Sequence, residues 1–259
     1  MTTTRHWEPA AILDARDYRR AFDIISGCHD ASTLPEFREG LVESLRRHLD
    51  LTNVSFFSGA TFNMVFEDTS PLTEGATMKM LPEYQDRWAA HDVFGCPAAA
   101  RQLLNTSVAS LDELLTEGRL PASSLAYVHH FLHGRWQMGS AAAMRLPLDG
   151  GRTALIGLFS RVPTELGPHE IGLLRLVGQQ LAPVTKRLPI GPEVQAIARL
   201  TGRQREVVRL VADGQSNARI AEILCIAEDS VKKYVTRILQ QTGCQSRLEL
   251  ALMARGAGI

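Results

Sequence analysis

Hydrophobic positions recur with two different periods along the first 187 residues. Helical spacing predicts helices over 14–28, 35–49, 82–90, 123–133 and 168–187, and short apolar or alternating runs predict strands over 53–58, 62–66, 140–146 and 152–160. We expect two hairpins, because turns at Gly59 and at Asp149–Gly151 separate the paired runs. Helices that cover an antiparallel sheet make this part an α+β unit, an α/β/α sandwich.

The pattern changes at Leu188–Pro192, where two prolines and a glycine within five residues predict a linker. Only helical spacing follows, with helices predicted over 203–212, 217–224, 228–241 and 246–255. Thr201 and Ser216 are the expected N-caps of the first two helices, and Gly214 is the expected left-handed residue after the first. The predicted organisation is a mixed domain 1–187, a linker 188–194 and an all-α domain 195–259.

Charge separates the same two parts of the chain. The chain as a whole is neutral, with 28 Lys and Arg against 28 Asp and Glu. After Gln195, ten basic residues stand against six acidic ones, so the predicted all-α domain carries +4 and the rest of the chain carries −4. The overall balance excludes a uniformly basic, histone-like protein but leaves room for a local basic face.

The helix predicted over 228–241 separates apolar from cationic side chains. Val231, Val235 and Ile238 recur at steps of three and four and face inward. The side chains that point elsewhere are those of Lys232, Lys233, Thr236 and Arg237. Two helices joined by a short turn, the second with a cationic outer face, predict a helix-turn-helix.

Spaced identities strengthen this interpretation. They are Leu200, Thr201, Arg203, Arg205–Val207, Leu210–Ala212, Gly214, Ser216, Asn217, Ile220, Ala221, Leu224, Ser230–Lys232, Val235, Ile238, Leu239, Gly243, Ser246 and Arg247. In these positions the segment resembles the LuxR-type DNA-binding domain, a four-helix module, over roughly a quarter of the chain. The chain departs from that family at Ala227, where Ser or Thr is usual, at Tyr234, where His is common, and at Gln241–Thr242, which replaces Lys-Leu.

The resemblance implies that helix 228–241 enters the DNA major groove. It places Lys232, Lys233 and Thr236 at base-reading positions and makes Arg237 and Arg219 candidates for phosphate contacts. The expected DNA-binding residues are Lys232, Lys233, Thr236, Arg237, Arg219, Asn217 and Ser230. For each basic residue a solvated surface charge is the simpler alternative. The last helix is the dimer-forming element of the family, which implies a homodimer on an inverted-repeat operator.

Pro82–Asp92 is similar to the aromatic helix of the acyl-homoserine-lactone domain, and the N-terminal unit resembles the GAF/PAS-type sensors that precede LuxR-type domains. Val93 replaces the family's proline and the aromatic spacing differs, so we favour another small-molecule effector, bound between sheet and helices. The expected ligand-binding residues are Tyr84, Trp88, Asp92, Phe57, Trp136 and Tyr127, with Phe56 and Phe94 as further candidates. Each of them also fits a plain core position.

No motif predicts an enzyme or a cofactor. The Walker A loop, H-E-x-x-H and G-x-S-x-G are absent, which leaves an enzyme fused to a DNA-binding domain as the least favoured class. His129 and His133, with His130 between them, have a spacing that can bind a metal, but surface histidines are the simpler interpretation and no metal is expected. Four scattered cysteines indicate packed, reduced thiols.

The sequence contains neither a secretion signal nor an apolar run of the roughly 20 residues that span a membrane. These observations predict a soluble, cytoplasmic, sequence-specific DNA-binding transcription regulator whose N-terminal domain is gated by a small molecule. The alternative is a ligand-independent regulator whose N-terminal domain is a protein-interaction module, with RNA polymerase or a sensor protein as its partner.

Overall fold

A computed structural model describes residues 13–118, 120–188, 196–197 and 199–256. The chain divides into two compact units: the N-terminal unit contains the residues up to 67 and 72–188, and the C-terminal unit contains 68–71 and the residues from 189 onward. Most of the predicted linker, 189–194, lies outside the described residues. Leu188, which the prediction placed in the linker, is buried in the core of the N-terminal unit.

In the described part of the N-terminal unit, seven α-helices frame the sheet. They are α1 (Ala15–Ser26), α2 (Leu34–Leu49), α3 (Thr77–Glu83), α4 (Pro97–Thr106), α5 (Leu111–Glu117), α6 (Ala122–Ala126) and α7 (Pro168–Thr185). Asp14 begins α1 through a capping box, since its side chain accepts from the backbone of Asp17 while the Asp17 carboxylate accepts from the backbone of Asp14. Thr33 caps α2 in the simpler way, by accepting from the backbone N–H of Glu36.

Five strands form one antiparallel sheet. They are β1 (Asn53–Gly59), β2 (Leu72–Glu74), β3 (Val108–Ser110), β4 (Ser140–Pro147) and β5 (Thr153–Ser160). The strand order is β2-β1-β5-β4-β3, with β1 and β5 paired along their length from Asn53–Phe159 to Gly59–Thr153. The predicted hairpin of β4 and β5 is confirmed, with Asp149–Gly151 as its turn.

The two faces of the sheet bury different cores. Phe56 on β1 and Ile156 on β5 pack with α1, α2 and α7, whereas the neighbouring Phe57 and Leu155 pack with the segments between β2 and β4. This alternation follows from the period of two along a strand. Helices on both faces confirm the predicted α/β/α arrangement of an α+β unit.

The strand predicted over 62–66 is wrong. Asn63–Glu67 is a 3-10 helix, and the neighbours of β1 are β5 and the short β2. The backbone of Met64 and Val65 lies against Gly59, where a Cβ atom would come within 2.6 Å of it. The chain therefore crosses the end of β1 instead of running back along it.

Two predicted helices differ in kind and extent from those observed. The helix expected over 82–90 begins at Thr77 and continues beyond α3 as a π-helical segment, Tyr84–Trp88. The helix expected over 123–133 becomes π-helical from Tyr127 to Arg135. Helices α4 and α5 and the three-residue strands β2 and β3 were not predicted.

Four helices among the described residues of the C-terminal unit pack around one core. They are α8 (Gly202–Ala212), α9 (Asn217–Leu224), α10 (Glu228–Thr242) and α11 (Arg247–Gly256). Thr201 forms a capping box with Gln204, and Ser216 accepts from the backbone N–H of Arg219, so both predicted N-caps are confirmed. Gly214 and Gly243 follow α8 and α10 with φ of 75° and 77°, where a residue without a Cβ atom avoids strain.

Candidate functional site

Helices α9 and α10 form the predicted helix-turn-helix. Leu224 ends α9, Cys225 adopts the left-handed conformation at φ 52°, and Ala227 precedes α10 in extended conformation. Arg203 on α8 donates to the Leu224 carbonyl at 2.7 Å and so satisfies an open acceptor at the end of α9. Ile220 on α9 and Val231 on α10 are buried in the same core, which holds the two helices together.

Helix α10 presents the cationic face that its sequence predicts. Val231, Val235 and Ile238 are buried in the core of the unit. Four of the expected DNA-binding side chains are exposed on the same helix: Lys232, Lys233, Thr236 and Arg237. The Thr236 hydroxyl donates to the Lys232 carbonyl at 3.0 Å, which leaves its lone pairs available as acceptors.

Acidic residues in the first turn of α10 pair with Lys232. Its Nζ lies 3.1 Å from Asp229 Oδ1 and 3.5 Å from Glu228 Oε1, and the hydrogen bond to Asp229 is the main cause that raises the pKa of Lys232. The ion pairs of the described residues include neither Lys233 nor Arg237. The Lys232 ammonium is thus partly neutralised before any phosphate approaches it. This pairing was not predicted, although the i,i+3 and i,i+4 spacing would have indicated it.

Four arginines of the C-terminal unit bind backbone carbonyls. Besides Arg203, Arg205 donates to Leu200 at 2.8 Å, Arg255 donates to Ala212 at 3.1 Å, and Arg247 donates to Gln215. These guanidinium groups hold the ends of helices and loops, so much of the positive charge of the unit is structural. The exposed cations that face outward from the helix-turn-helix are therefore concentrated on α10.

The remaining expected DNA-binding residues have different environments. Arg219 is exposed on α9 and pairs with Glu222 at 2.8 Å. Asn217 is half-buried, and its Oδ1 accepts from Arg247 at 2.9 Å, a contact that ties the start of α9 to α11. Ser230 is half-buried in the first turn of α10. Of these three residues, only Arg219 is exposed at the surface. Asn217 has a structural contact that its sequence position did not indicate.

Comparison with known proteins decides the identity of this segment. Residues 198–254 match the family described as bacterial regulatory proteins, luxR family. Residues 198–254 form a LuxR-type regulatory domain. The match confirms the resemblance that the spaced identities indicated.

Curated relatives resemble this chain over limited lengths. The probable transcriptional regulator ycf29 of Guillardia theta is 25% identical over 114 residues, which cover 44% of this chain and 53% of the relative. The transcriptional regulatory protein DesR of Bacillus subtilis is 36% identical over 59 residues, which cover 23% of this chain and 30% of the relative. The alignments thus span about half or less of these relatives.

One solved structure is similar over most of the chain. Escherichia coli SdiA in a crystal structure has 16% sequence identity and a TM-score of 0.40, with 93% of this chain and 97% of that chain covered.

A second candidate site lies in the N-terminal unit, which contains a cavity of about 40 Å³ on the Phe57 face of the sheet. The side chains that line it are mostly aromatic or aliphatic: Phe57, Phe66, Met80, Leu81, Tyr84, Phe94, Tyr127, Phe131, Leu155 and Phe159, with Ser55, Thr73, Thr77 and Asp92 as the polar ones. A single water needs about 10–15 Å³ on this scale, so the cavity accepts a few non-hydrogen atoms.

Asp92 supplies the carboxylate of this cavity. Its Oδ2 accepts from the Tyr84 hydroxyl at 2.8 Å, and its Oδ1 accepts from the backbone N–H of Phe94 at 2.8 Å. Burial is the main cause that raises the pKa of Asp92 to about 6, against the lowering effect of these two hydrogen bonds. The surface that Asp92 retains faces the cavity and a wider groove outside it, since it lines both.

Four of the six expected ligand-binding residues lie on this cavity: Phe57, Tyr84, Asp92 and Tyr127. Trp88 and Trp136 are not among the lining residues, although their ring centroids lie 5.8 Å and 6.4 Å from that of Phe131, which lines the cavity. Among the further candidates, Phe94 lines the cavity, whereas Phe56 is packed on the opposite face of the sheet. The other lining residues, among them Phe131, Thr77 and Phe159, were not predicted.

Other sequence-derived candidates carry less chemistry. His129 and His133 have ring centroids 6.2 Å apart, and no group of three or more His, Cys, Asp or Glu suited to a metal occurs among the described residues. Cys28, Cys96 and Cys244 are buried thiols, but Cys225 is exposed at the turn of the helix-turn-helix, which corrects the expectation of four packed thiols. Within the described part of the chain, no helix has the length and apolarity needed to cross a membrane.

Proposed function

We propose that the chain is a cytoplasmic transcription regulator that binds double-stranded DNA sequence-specifically through its LuxR-type domain. The single observation that carries the proposal is the LuxR-type helix-turn-helix with exposed Lys232, Lys233, Thr236 and Arg237 on α10. Lysines can donate to guanine O6 and N7, a threonine can contact a base edge, and arginines contact phosphates. Domain 195–259 binds DNA in this account, and domain 1–187 regulates it.

The regulator acts as a homodimer on an inverted repeat. Support comes from α11, the element that the family resemblance assigns to dimerisation. Leu248 and Leu252 lie one helical turn apart on α11 and are 69% and 61% exposed. Two such leucines form an apolar stripe that a second copy of the helix could cover, and a two-fold axis would then relate two recognition helices.

A small molecule in the N-terminal cavity gates this activity. The cavity joins apolar walls to a carboxylate, the composition expected of a ligand site. A ligand that binds one arrangement of the N-terminal domain more tightly shifts the population toward that arrangement. The size of the cavity favours a second candidate as well, a ligand-independent regulator with a protein partner such as RNA polymerase, because about 40 Å³ leaves little space for a ligand.

Selection of duplex DNA from a random pool by the full-length chain tests the proposal. We expect enriched sequences that share an inverted repeat, with half-sites one helical turn apart. The double variant Lys232→Ala, Lys233→Ala should enrich no common motif. If the wild-type chain enriches none under conditions in which it is folded, sequence-specific DNA binding is wrong. Repeating the selection after the chain is stripped of small molecules distinguishes the gated from the ligand-independent regulator.

A further inference from the structure

Within the inner cavity, Asp92 is a carboxylate without a cationic partner among the described residues, and Arg87 lines only the outer groove that Asp92 also borders. None of the described residues that line its cavity is Lys, Arg or His, and no cation contributes to the pKa of Asp92. Its two donors are a phenol and a backbone amide, both neutral. Asp92 is half-buried, and a carboxylate partly removed from water without a counter-charge is unfavourable. A carboxylate also has lone pairs for more donors than these two. The site therefore lacks a positive charge beside Asp92.

Aromatic rings surround the space next to this carboxylate. Tyr84 has its ring centroid 5.7 Å from Phe57, 6.3 Å from Tyr127 and 6.2 Å from Phe131, and all four residues line the cavity. Rings of Tyr and Phe carry a negative face, so they attract a cation when water is excluded. Burial is the main cause that raises the pKa of Tyr127, and the charge of Asp92 raises it further.

The cavity shares two lining residues with an outer groove. Phe66 and Asp92 line both the inner cavity and an outer groove of about 540 Å³, whose other lining residues include Asp86, Arg87 and Glu67. A molecule with a small charged head could place the head beside Asp92 while the rest of it remains in the groove. The inner space accepts a head of a few non-hydrogen atoms, which excludes a long acyl chain from it.

We propose that this cavity binds the primary ammonium group of a small organic amine, with Asp92 as its counter-charge and the aromatic side chains as its walls. The ammonium would donate hydrogen bonds to the unused lone pairs of Asp92 and supply a positive charge beside this carboxylate. The inference rests on the proposed ligand-binding role of the same cavity, and it names the class of the ligand.

Titration of the full-length chain with ethanolammonium chloride tests the inference, with tryptophan emission as the readout. Trp88 and Trp136 report on the site, since their rings are 5.8 Å and 6.4 Å from that of Phe131, and Trp7→Phe removes the third indole. Propan-1-ol is the neutral isostere, acetamide is a neutral N–H donor, and sodium chloride controls for ionic strength. We expect saturable binding of ethanolammonium at millimolar concentrations, about tenfold tighter than either neutral molecule.

Asp92→Asn keeps the shape of the side chain and removes its charge. We expect this variant to lose at least about tenfold in affinity for ethanolammonium and to bind propan-1-ol as the wild type does. Phe131→Leu is the second variant and should weaken ethanolammonium binding a few-fold through the loss of one ring. Equal binding of acetamide and ethanolammonium, no saturable response to the amine, or an unchanged affinity in Asp92→Asn would overturn the inference.

The outcome of the amine titration does not depend on whether the chain binds DNA. If the chain selects an inverted repeat but takes up no amine, the ligand class is wrong and the regulator remains. If it binds ethanolammonium through Asp92 but selects no DNA sequence, the cavity assignment stands and the proposed function fails.

Discussion

At the scale of single residues, the charge of α10 is less positive than its lysines indicate. Asp229 is 83% exposed beside Lys232 and faces whatever molecule approaches the first turn. Near DNA, this carboxylate would repel phosphates, and its ion pair with Lys232 would compete with a contact between Lys232 and DNA. We predict that Asp229→Asn raises the affinity for duplex DNA several-fold, independently of sequence, as measured by fluorescence anisotropy. Asp112→Asn, an exposed change in the N-terminal unit, should leave the affinity unaltered, and equal affinities for all three proteins would refute this role.

Asp92 links stability to pH in a direction opposite to the usual carboxylate. Its pKa in the folded protein is raised from 3.8 to about 6 by burial, so the folded state holds the proton more tightly than the unfolded state. The free energy of unfolding therefore falls as pH rises from about 4 to about 7, by at most about 3 kcal/mol. Tyr84 and Tyr127 on the cavity side titrate far above this range.

Asp92→Asn should remove this fall in stability. We expect urea unfolding to show the variant gaining stability relative to the wild type between pH 4.5 and pH 7, with the ethanolammonium-free protein used throughout. Glu67, Asp86 and Arg87 in the outer groove are common to both proteins and cancel in the difference. Asp17, whose pKa is lowered mainly by the backbone N–H of Asp14, loses its contribution only as pH falls below about 4. A constant difference between the two proteins across this range would contradict the assignment.

Residues differ in how far their contacts could be predicted. The pairing of Lys232 with Glu228 and Asp229 is local, so helical spacing alone determines it. The bond between Asn217 and Arg247 joins positions 30 residues apart, and no local pattern encodes it. Trp88 ends the π-helical segment Tyr84–Trp88, and Trp136 follows the π-helical segment Tyr127–Arg135, so ordinary α-helical spacing does not predict which of these side chains line the cavity.

At the scale of elements, the start of each C-terminal helix is set by its cap. Thr201→Ala removes the capping box of α8 and should lower the free energy of unfolding by about 1 kcal/mol. Ala227 precedes α10 in extended backbone without a side-chain cap, so Ala227→Ser should raise the free energy of unfolding by about 0.5–1 kcal/mol. Each variant serves as a control for the other, because the two changes in the free energy of unfolding should have opposite signs. If chemical denaturation shows changes of the same sign, the assigned role of the caps is wrong.

Elements with strong periodicity were predicted, and those set by tertiary contacts were not. Helix α10 follows from Val231, Val235 and Ile238 on one face, and Gly243 ends it. The alternation in 62–66 indicated a strand, but the close approach at Gly59 turns that segment into a 3-10 helix. Strands β2 and β3 have three residues each, too few for a period of two to be visible.

At the scale of the whole molecule, the proposed function depends on two copies of the chain. We predict that Leu248→Ser with Leu252→Ser shifts the chain toward monomer in sedimentation velocity, because the exposed apolar stripe of α11 is lost. Affinity for an inverted repeat should fall about tenfold or more, while affinity for a single half-site stays nearly constant. Leu104→Ser, equally exposed on α4, is the matched control. A dimer that survives the double change would place dimerisation elsewhere.

The proposed function depends above all on DNA binding by the outward cations of α10. Its most direct test is the salt dependence of operator affinity, measured by anisotropy for the wild type, for Lys232→Ala with Lys233→Ala, and for Arg46→Ala with Arg47→Ala as an equal loss of charge in the N-terminal unit. We predict that the α10 variant binds at least several-fold more weakly with a salt slope flatter by about one for each lost phosphate contact, whereas the Arg46, Arg47 variant matches the wild type. Identical affinities and slopes for all three proteins would contradict the account.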